Sequence, residues 1–300
     1  MSWEKLPVVV VALAAIAVLA ALLWPLLRHR AIYPGGVLTE AMSHPSMHGL
    51  EGAEEVWLEA GDGVRIHAWW TPAREGPARE DAPSRGTVLY AHGNAETMAT
   101  RAWIADRLRR RGFDVLMFDY RGYGLSEGRA SEEGLARDAR AAWRHVVEER
   151  GVAPHRIVLM GHSLGSAVAT RLALEVERGK VHRGEHGSGD DGPAALVVGS
   201  PFPDMPTLFR HHAPWLPGFL LRWRTNTLDA GSRLGRVNAP VLVLIGTGDE
   251  TIPPAISRSV VEAARGARTL RVETVPADHA SLMAHDRVWR ALEDFMAGEG

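Results

Sequence analysis

The chain has 300 residues, 46% of them hydrophobic, with a formal net charge of −2 and no cysteine. A near-neutral chain without a basic, aromatic-rich stripe lacks the electrostatic footprint of nucleic-acid binding, which argues against that class of partner. The lack of cysteine excludes disulfides, thiolate catalysis and cysteine-ligated metals, and it leaves the cellular compartment open. Length and apolar content suffice for one large core.

The first feature along the chain is an uncharged apolar run of 21 residues, Pro7 to Leu27. At ~1.5 Å per residue, a helix of this length spans the ~30 Å hydrocarbon core of a bilayer. A cleaved signal peptide is the alternative, since Val18 and Ala20 fit a small-residue cleavage site. The run continues past that site, so we predict a retained membrane anchor over residues 1–30 and a tether over 31–55. Basic residues flank the run on both sides, which leaves the side of the membrane open.

Beyond residue 55, short apolar runs alternate with amphipathic stretches. The first two runs flank Gly61-Asp62-Gly63 and form a predicted β-hairpin. The later runs are continuously apolar, which is typical of parallel strands covered on both faces. Ser131 as N-cap and Gly151 after the last turn mark the clearest helix. In chain order, we predict strands at 56–60, 64–70, 87–91, 115–119, 157–160, 195–199, 241–245 and 269–275, and helices at 97–111, 132–150, 166–177, 254–264 and 282–296.

This alternation predicts an α/β domain over residues 56–300, with a mostly parallel central sheet and helices on both faces. Two stretches interrupt the alternation. Residues 179–193 are polar and are predicted to be a surface insertion, whereas Pro201 to Leu234 is broken by prolines and rich in aromatic residues. We expect this second segment to wall one side of a substrate pocket. Ordinary packing of its helices on the sheet is the alternative.

The pentapeptide Gly161-His162-Ser163-Leu164-Gly165 stands between the apolar run 157–160 and a helix-forming stretch. A serine in a G-x-S-x-G motif between a strand and a helix is held on a strained turn with its hydroxyl exposed. Glycines flank the serine because a Cβ there would crowd the neighbouring strand and helix. A glycine-rich turn without chemistry is the alternative, but the flanking strand and helix favour a nucleophile.

A serine hydroxyl needs an adjacent base, and the base needs an acid that orients it. Asp249 and His279 each directly follow a predicted strand, at the sheet edge where parallel strands place active sites. Glu250 is the alternative acid. His285 is the alternative base, but it falls within the predicted last helix and would point away from the strand end. We therefore predict Ser163 as nucleophile, Asp249 as acid and His279 as base.

Cleavage of an ester or thioester carbonyl also needs two N–H donors for the oxyanion that forms. The backbone N–H of Leu164, directly after the serine, is one candidate. The second is the N–H of Asn94, in the turn after the strand 87–91, where Gly93 permits close approach of the backbone. We predict neither a metal nor a cofactor, because two histidine pairs lack a third convergent ligand: His182 with His186, and His211 with His212.

Several motifs resemble those of the α/β-hydrolase superfamily. They are His92-Gly93-Asn94-Ala95, Phe118-Asp119-Tyr120-Arg121-Gly122, Gly161-His162-Ser163-Leu164-Gly165 and Gly246-Thr247-Gly248-Asp249. The chain resembles in particular the membrane-anchored branch with little or no cap domain, which includes eukaryotic protein depalmitoylases. The resemblance runs from about residue 54 to the C-terminus and implies an α/β-hydrolase fold. It also implies the triad Ser163, Asp249 and His279, with Asn94 and Leu164 as oxyanion donors.

The resemblance carries two further expectations. In this family, the turn that contains Asp119 and Arg121 is structural, an ion pair that braces loops near the site. The chain departs from the family at Asp278, where many relatives have a small residue, and a carboxylate beside the predicted base would affect the pH optimum. The polar insertion at 179–193 is a second departure, away from the strand ends.

These features together predict a membrane-anchored serine hydrolase that cleaves a carboxylic ester or thioester through an acyl-enzyme. We expect a small-molecule or lipid-like acyl substrate, and an anchor that keeps the site near a bilayer favours lipid-like or lipid-modified ones. Two alternatives stay open at this point: an acyl-peptidase with the same triad, and a non-enzymatic membrane scaffold on a hydrolase fold. Such a scaffold normally lacks a triad residue, and none is missing here.

Overall fold

A computed structural model of the chain describes residues 19, 22–39, 42–74, 84–181, 192–221, 225–264 and 269–298. The chain divides into two compact units, residues 1–34 and 35–300. In the first unit, residues 22–32 are helical (α1). Within the described ranges, no helix combines the length and the hydropathy needed to cross a bilayer. Most of the predicted anchor, Pro7 to Leu27, lies outside these ranges, so the transmembrane helix stays a prediction.

The second unit is built on a mixed sheet, in which eight strands belong to the described residues. Their spatial order is β1-β2-β4-β3-β5-β6-β7-β8. The pairs β1–β2 and β2–β4 are antiparallel, and the pairs from β4–β3 to β7–β8 are parallel. The strands are β1 Glu54–Glu59, β2 Arg65–Thr71, β3 Thr87–Ala91, β4 Asp114–Phe118, β5 Ile157–His162, β6 Ala195–Gly199, β7 Val241–Gly246 and β8 Leu270–Val275.

The strand bounds differ from the sequence prediction by at most two residues. The apolar side chains of β3 to β7 are buried, as expected for strands that helices cover on both faces. The predicted mostly parallel α/β architecture is therefore confirmed. The helices of the second unit are α2 Ala102–Arg109, α3 Glu132–Arg144, α4 Leu164–Glu177, α5 Met205–His212, α6 Gly231–Leu234, α7 Pro254–Ala263 and α8 Asp286–Met296.

The helices bury the sheet from two sides. Side chains of α2 and α8, such as Ile104 and Trp289, share a buried cluster with Val88 and Met160 of the sheet. On the other side, α3 and α4 contact each other, and α4 also contacts β3, β5 and β6. The Ser131 hydroxyl accepts the Gly134 N–H at the start of α3, as expected for its N-cap. This frame fixes the positions at which the parallel strands end.

Two predicted helices are shorter than their sequence patterns indicate. The helix predicted over 132–150 ends at Arg144, and a π-helical turn, His145–Glu149, continues it. The helix predicted over 97–111 is a 3₁₀ turn followed by α2. A single 3₁₀ or π turn is too short to change the apolar pattern recognisably, so the pattern alone does not reveal where the hydrogen bonding changes.

Part of the predicted tether packs on the second unit. Leu38 and Leu50 are buried in the cluster beneath α2, and the indole N–H of Trp69 donates to the Ser43 carbonyl at 2.8 Å. The domain boundaries at residues 30 and 55 stay predictions. Of the predicted insertion 179–193, residues 182–191 lie outside the described ranges.

Candidate active site

The turn between β5 and α4 holds Ser163 in a rare backbone conformation, with φ +54° and ψ −119°. A non-glycine residue in such a region costs about 1–3 kcal/mol and persists only when its surroundings impose it. Here a Cβ at Gly161 would overlap the Gly165 carbonyl, and a Cβ at Gly165 would overlap the Ala91 carbonyl. The Ser163 N–H also donates to the Gly199 carbonyl at 2.9 Å. The serine thus lies on the strained strand–turn–helix that the motif predicts.

The two other predicted triad residues contact each other directly. Asp249 lies three residues after β7, His279 four residues after β8, and His279 Nδ1 is 2.8 Å from Asp249 Oδ2. Oδ2 also accepts the Ser200 hydroxyl at 2.7 Å, and Oδ1 accepts the Ile252 N–H at 2.7 Å. Burial raises the pKa of Asp249, but the hydrogen bonds from His279, Ile252 and Ser200 outweigh burial and hold that pKa below its usual value. The carboxylate is therefore ionised and fixed in orientation.

The imidazole of His279 packs against the ring of His162, the residue before the nucleophile. The two ring centroids are 4.8 Å apart, and His162 immediately precedes Ser163. Burial, and then the proximity of His279, lower the pKa of His162 to about 3, so its ring is neutral. Within the described ranges, the His279 ring bonds to Asp249 and makes no hydrogen bond to the Ser163 hydroxyl. Hydrogen bonds between nucleophile and base are often loose before substrate binds.

Ser200 is a site residue that the sequence analysis missed. It follows β6, which lies between β5 and β7, so the strand order places it between the nucleophile and the acid. Its backbone has φ +45°, its side chain is buried, and its N–H donates to the Leu244 carbonyl at 2.9 Å. One signal could have indicated Ser200. It is a small polar residue directly after β6, and in chain order this strand comes between the strand before the nucleophile and the strand before the acid.

The alternative acid and base residues lie elsewhere. The prediction that His285 lies within the last helix is wrong. His285 is instead the N-cap of α8, where its ring accepts the Arg287 N–H at 3.3 Å. Asp278 is exposed, and the hydroxyl and N–H of Ser281 bind its carboxylate and lower its pKa. Glu250 is exposed as well. His279 and Asp249 are thus the pair that the geometry favours.

The predicted oxyanion donors lie on two segments that touch. The close fit of Gly165 against the carbonyls of Ala91 and His92 brings the turn after β3 to the start of α4. Leu164 is the first residue of α4, where backbone N–H groups have no partner within the helix. The side chain of Asn94 is already engaged, because its Oδ1 accepts the Tyr123 hydroxyl at 2.8 Å. The predicted donors at this position are the backbone N–H groups of Asn94 and Leu164.

Comparison with known proteins identifies the family. A family model described as serine aminopeptidase, S33, matches residues 82–184. Protein Rv2307c of Mycobacterium tuberculosis H37Rv is 37% identical over 263 residues, 87% of this chain and 83% of that protein. The solved esterase Pf2001 of Pyrococcus furiosus superposes with a TM-score of 0.64 at 19% identity, over 88% of this chain and 97% of the esterase. The chain belongs to the α/β-hydrolase superfamily.

Another relative of this hydrolase is a lysophosphatidylserine lipase, ABHD12 of Danio rerio. It is 28% identical over 289 residues, which cover 85% of this chain and 72% of the lipase. The family match and these relatives support a hydrolase. The likeness to the solved esterase supports the fold of the sheet and its helices.

A half-buried ion pair in the hydrolase, Glu96 with Arg101, joins the loops on both sides of the site. Glu96 accepts the Gly93 N–H at 3.0 Å and pairs with Arg101, whose guanidinium donates to the Ala280 carbonyl at 3.4 Å. Burial raises the pKa of Glu96, but the hydrogen bond from Arg101, together with the charges of Arg101 and of the nearby histidines, lowers it below its usual value. The pair thus ties the turn of the predicted oxyanion donor to the loop of the predicted base. No local sequence pattern indicates this pair.

The predicted ion pair of Asp119 with Arg121 is wrong, although both residues do brace loops. Asp119 accepts the Met98 N–H at 2.7 Å and lies 3.3 Å from His92 Nε2. Arg121 pairs instead with Asp62 at 2.8 Å and with the buried Asp138 at 2.7 Å. The chain turns at residues 121 and 122, shortly after β4, so the two side chains find partners on different segments.

The large apolar side chains of the segment Pro201–Leu234 differ widely in exposure. Phe202 and Leu221 are buried, as the packing alternative predicts. Trp215 and Phe219 are 78% and 69% exposed and therefore do not wall a closed pocket. Exposure of two adjacent aromatic side chains is a feature that packing of the hydrolase core leaves unexplained.

Proposed function

We propose that this hydrolase is a serine hydrolase that cleaves a carboxylic ester or thioester through an acyl-enzyme on Ser163. The observation that carries the proposal is the 2.8 Å bond between His279 and Asp249, beside a serine on a strained strand–turn–helix. A glycine-rich turn without chemistry would need no buried, ionised carboxylate oriented towards an imidazole at the same sheet edge.

In the proposed reaction, the Ser163 hydroxyl attacks the carbonyl carbon while His279 Nε2 takes its proton. Asp249, bound to Nδ1, stabilises the imidazolium that forms. The N–H groups of Asn94 and Leu164 bind the oxyanion of the tetrahedral intermediate. The intermediate collapses as His279 returns the proton to the leaving alcohol or thiol. Water then attacks the acyl-enzyme with His279 again as base, and the carboxylic acid leaves from Ser163.

A peptidase is the second candidate, because an acyl-peptidase could use the same triad, and the matched family model is described as a serine aminopeptidase. Recognition of a free α-amino group calls for a carboxylate available near the reacting carbonyl. Glu96 lies on the predicted oxyanion loop, but Arg101 already neutralises it. Glu250 and Asp278 are exposed carboxylates on the loops of the proposed acid and base, so a substrate panel has to separate an ester or thioester from a peptide.

The proposal includes a membrane anchor formed by the run from Pro7 to Leu27, and with it a lipid-like acyl substrate. Support comes from the uncharged sequence of that run. The lipase relative acts, by its name, on a lysophospholipid. A site held near a bilayer would meet acyl groups that partition into lipid.

The experiment that tests this function is active-site labelling followed by a substrate panel. We expect a fluorophosphonate probe to label the folded full-length chain, and mass spectrometry of the digest to locate the label on Ser163. The same protein should hydrolyse p-nitrophenyl esters, with longer acyl chains preferred to acetyl, and should leave alanine p-nitroanilide intact. Heat-denatured protein is the control for non-specific labelling.

Each part of this experiment has a contrary outcome. If the folded chain takes no label, or takes it on a residue other than Ser163, the assignment of Ser163 as nucleophile is contradicted. Faster cleavage of the anilide than of the esters would establish the peptidase. A sharp preference for acetyl would count against a lipid-like substrate.

Replacement of Asn94 by proline tests the oxyanion hole, since proline lacks the backbone N–H that would bind the oxyanion. We expect kcat on a p-nitrophenyl ester to fall by about 10²–10³-fold, the usual effect of losing one such donor. Asn94→Ala is the matched variant: it keeps the backbone N–H and removes the side-chain amide together with its bond to Tyr123. Urea unfolding of both variants checks that they fold. Equal losses in kcat for proline and alanine would contradict the role of the N–H.

A further inference from the structure

The loop that follows α5, residues 213–221, presents the two most exposed aromatic side chains of the described ranges. Trp215 is 78% exposed and Phe219 is 69% exposed, whereas Trp57, the next, reaches 39%. Leaving such side chains in water is unfavourable, and clustered apolar exposure marks a surface that meets another body. We call Trp215 and Phe219 the aromatic tip.

The backbone that carries the aromatic tip is held by hydrogen bonds in defined turns. Ala213 N–H donates to the Phe209 carbonyl at 2.8 Å, which closes the end of α5. The Leu216 N–H donates to the Ala213 carbonyl, and the Leu220 N–H to the Pro217 carbonyl, both at 2.9 Å. Two hydrogen-bonded turns therefore hold the tip outward, and its exposure does not come from an unravelled chain.

The aromatic tip is attached to the rim of the candidate active site. The ring of His212, at the end of α5, bonds to the Thr251 carbonyl at 2.8 Å. Thr251 lies two residues after Asp249, on the loop that carries the proposed acid. A partner that binds the aromatic tip therefore lies close to the sheet edge that carries the proposed triad.

The charge around the aromatic tip fits an anionic, apolar partner. From residue 205 to residue 221 the sequence has no aspartate or glutamate. It has instead Arg210, His211 and His212, all exposed. Aromatic rings next to basic side chains are the usual composition of segments that lie in the headgroup region of anionic membranes.

The area of the aromatic tip argues against a protein partner. Aromatic side chains bury about 150–250 Å² each, whereas a stable protein interface buries about 800 Å² on each partner. Two rings alone thus fall well short of a stable interface. Insertion of the same two rings into lipid needs no complementary shape on the other side.

We propose that Trp215 and Phe219 form a membrane-docking tip that inserts into an anionic lipid surface and seats the rim of the active site on it. The docking itself is independent of the proposed hydrolytic function, and only its effect on catalysis rests on that function. An acyl lipid would then pass from the bilayer to the site along the loop instead of through water.

The cysteine-free sequence permits a direct test, because Phe219→Cys creates a single thiol for an environment-sensitive nitrobenzoxadiazole label. The matched control is Val272→Cys on β8, a position that is also exposed, at 40%. We expect the label at 219 in full-length protein, reconstituted into phosphatidylcholine vesicles with phosphatidylglycerol, to shift to the blue. Its quenching by iodide should fall several-fold, and both effects should weaken without phosphatidylglycerol. The label at 272 should stay as in water. Equal emission at the two positions would overturn the proposal.

A second measurement connects docking to catalysis. The double variant Trp215→Ser with Phe219→Ser should lose several-fold in the hydrolysis of a long-chain ester embedded in vesicles. Its rate on water-soluble p-nitrophenyl butyrate should stay that of the parent chain. Equal losses on both esters would place the tip in the substrate site or in folding, against the proposal. If the parent chain hydrolyses neither ester, the hydrolytic function fails, while the labelling result still decides the docking.

Discussion

Ser163→Ala should lower kcat on a p-nitrophenyl ester by roughly 10⁶-fold, the loss typical of removing the nucleophile of a serine triad. The free energy of unfolding should change little. The strained backbone at φ +54° is imposed by the fit of Gly161 and Gly165 against neighbouring backbone, and alanine keeps that fit. Steady-state kinetics and urea unfolding of the variant measure the two quantities separately.

Ser166→Ala is the matched control for this variant. Ser166 is buried on the same turn, and its hydroxyl donates to the Ser163 carbonyl at 2.6 Å. Its loss perturbs the backbone of the nucleophile but leaves the hydroxyl of Ser163 in place, so we expect kcat to fall by less than about tenfold, in line with one lost hydrogen bond. If Ser166→Ala were as inactive as Ser163→Ala, the geometry of the turn and not the hydroxyl would explain the loss. Substantial activity of Ser163→Ala would refute the acyl-enzyme on this residue.

Most of the sheet could be predicted from the sequence because its parallel strands β3 to β7 are buried on both faces. A run such as Val241–Gly246 is then continuously apolar and ends at a polar loop, so both of its bounds are visible. Chain order also places Asp249 and His279 after strands that turn out to be neighbours, and the structure brings these two side chains within hydrogen-bonding distance.

Other features depend on information that local pattern does not contain. The contact of Ser200 with Asp249 requires that β6 lie between β5 and β7, and apolar runs do not reveal strand order. The bridge from Glu96 through Arg101 to Ala280 joins segments far apart in the sequence. Composition likewise does not separate the buried Phe202 from the exposed Phe219, because burial is decided by which side of a loop faces the core.

Asp249→Asn should lower kcat by roughly 10⁴-fold, the loss seen when a triad acid becomes an amide. The carboxylate accepts three hydrogen bonds, from His279, Ser200 and the Ile252 N–H. An amide has a single acceptor oxygen, and the fixed backbone N–H of Ile252 claims it. The NH₂ group then faces the ring and forces Nδ1 to accept. The imidazole proton moves to Nε2, the atom that must take the proton of Ser163.

The two neighbouring carboxylates supply the controls for this variant. Glu250→Gln and Asp278→Asn each remove one negative charge from the same loops, but both side chains are exposed and neither is bonded to His279. We expect kcat within about twofold of the parent for both, because exposed charges interact weakly through water. Labelling by the fluorophosphonate probe should slow in Asp249→Asn in parallel with kcat. If kcat fell as far in Glu250→Gln as in Asp249→Asn, Glu250 and not Asp249 alone would be needed to orient the base, and the assignment of Asp249 as the acid would be contradicted.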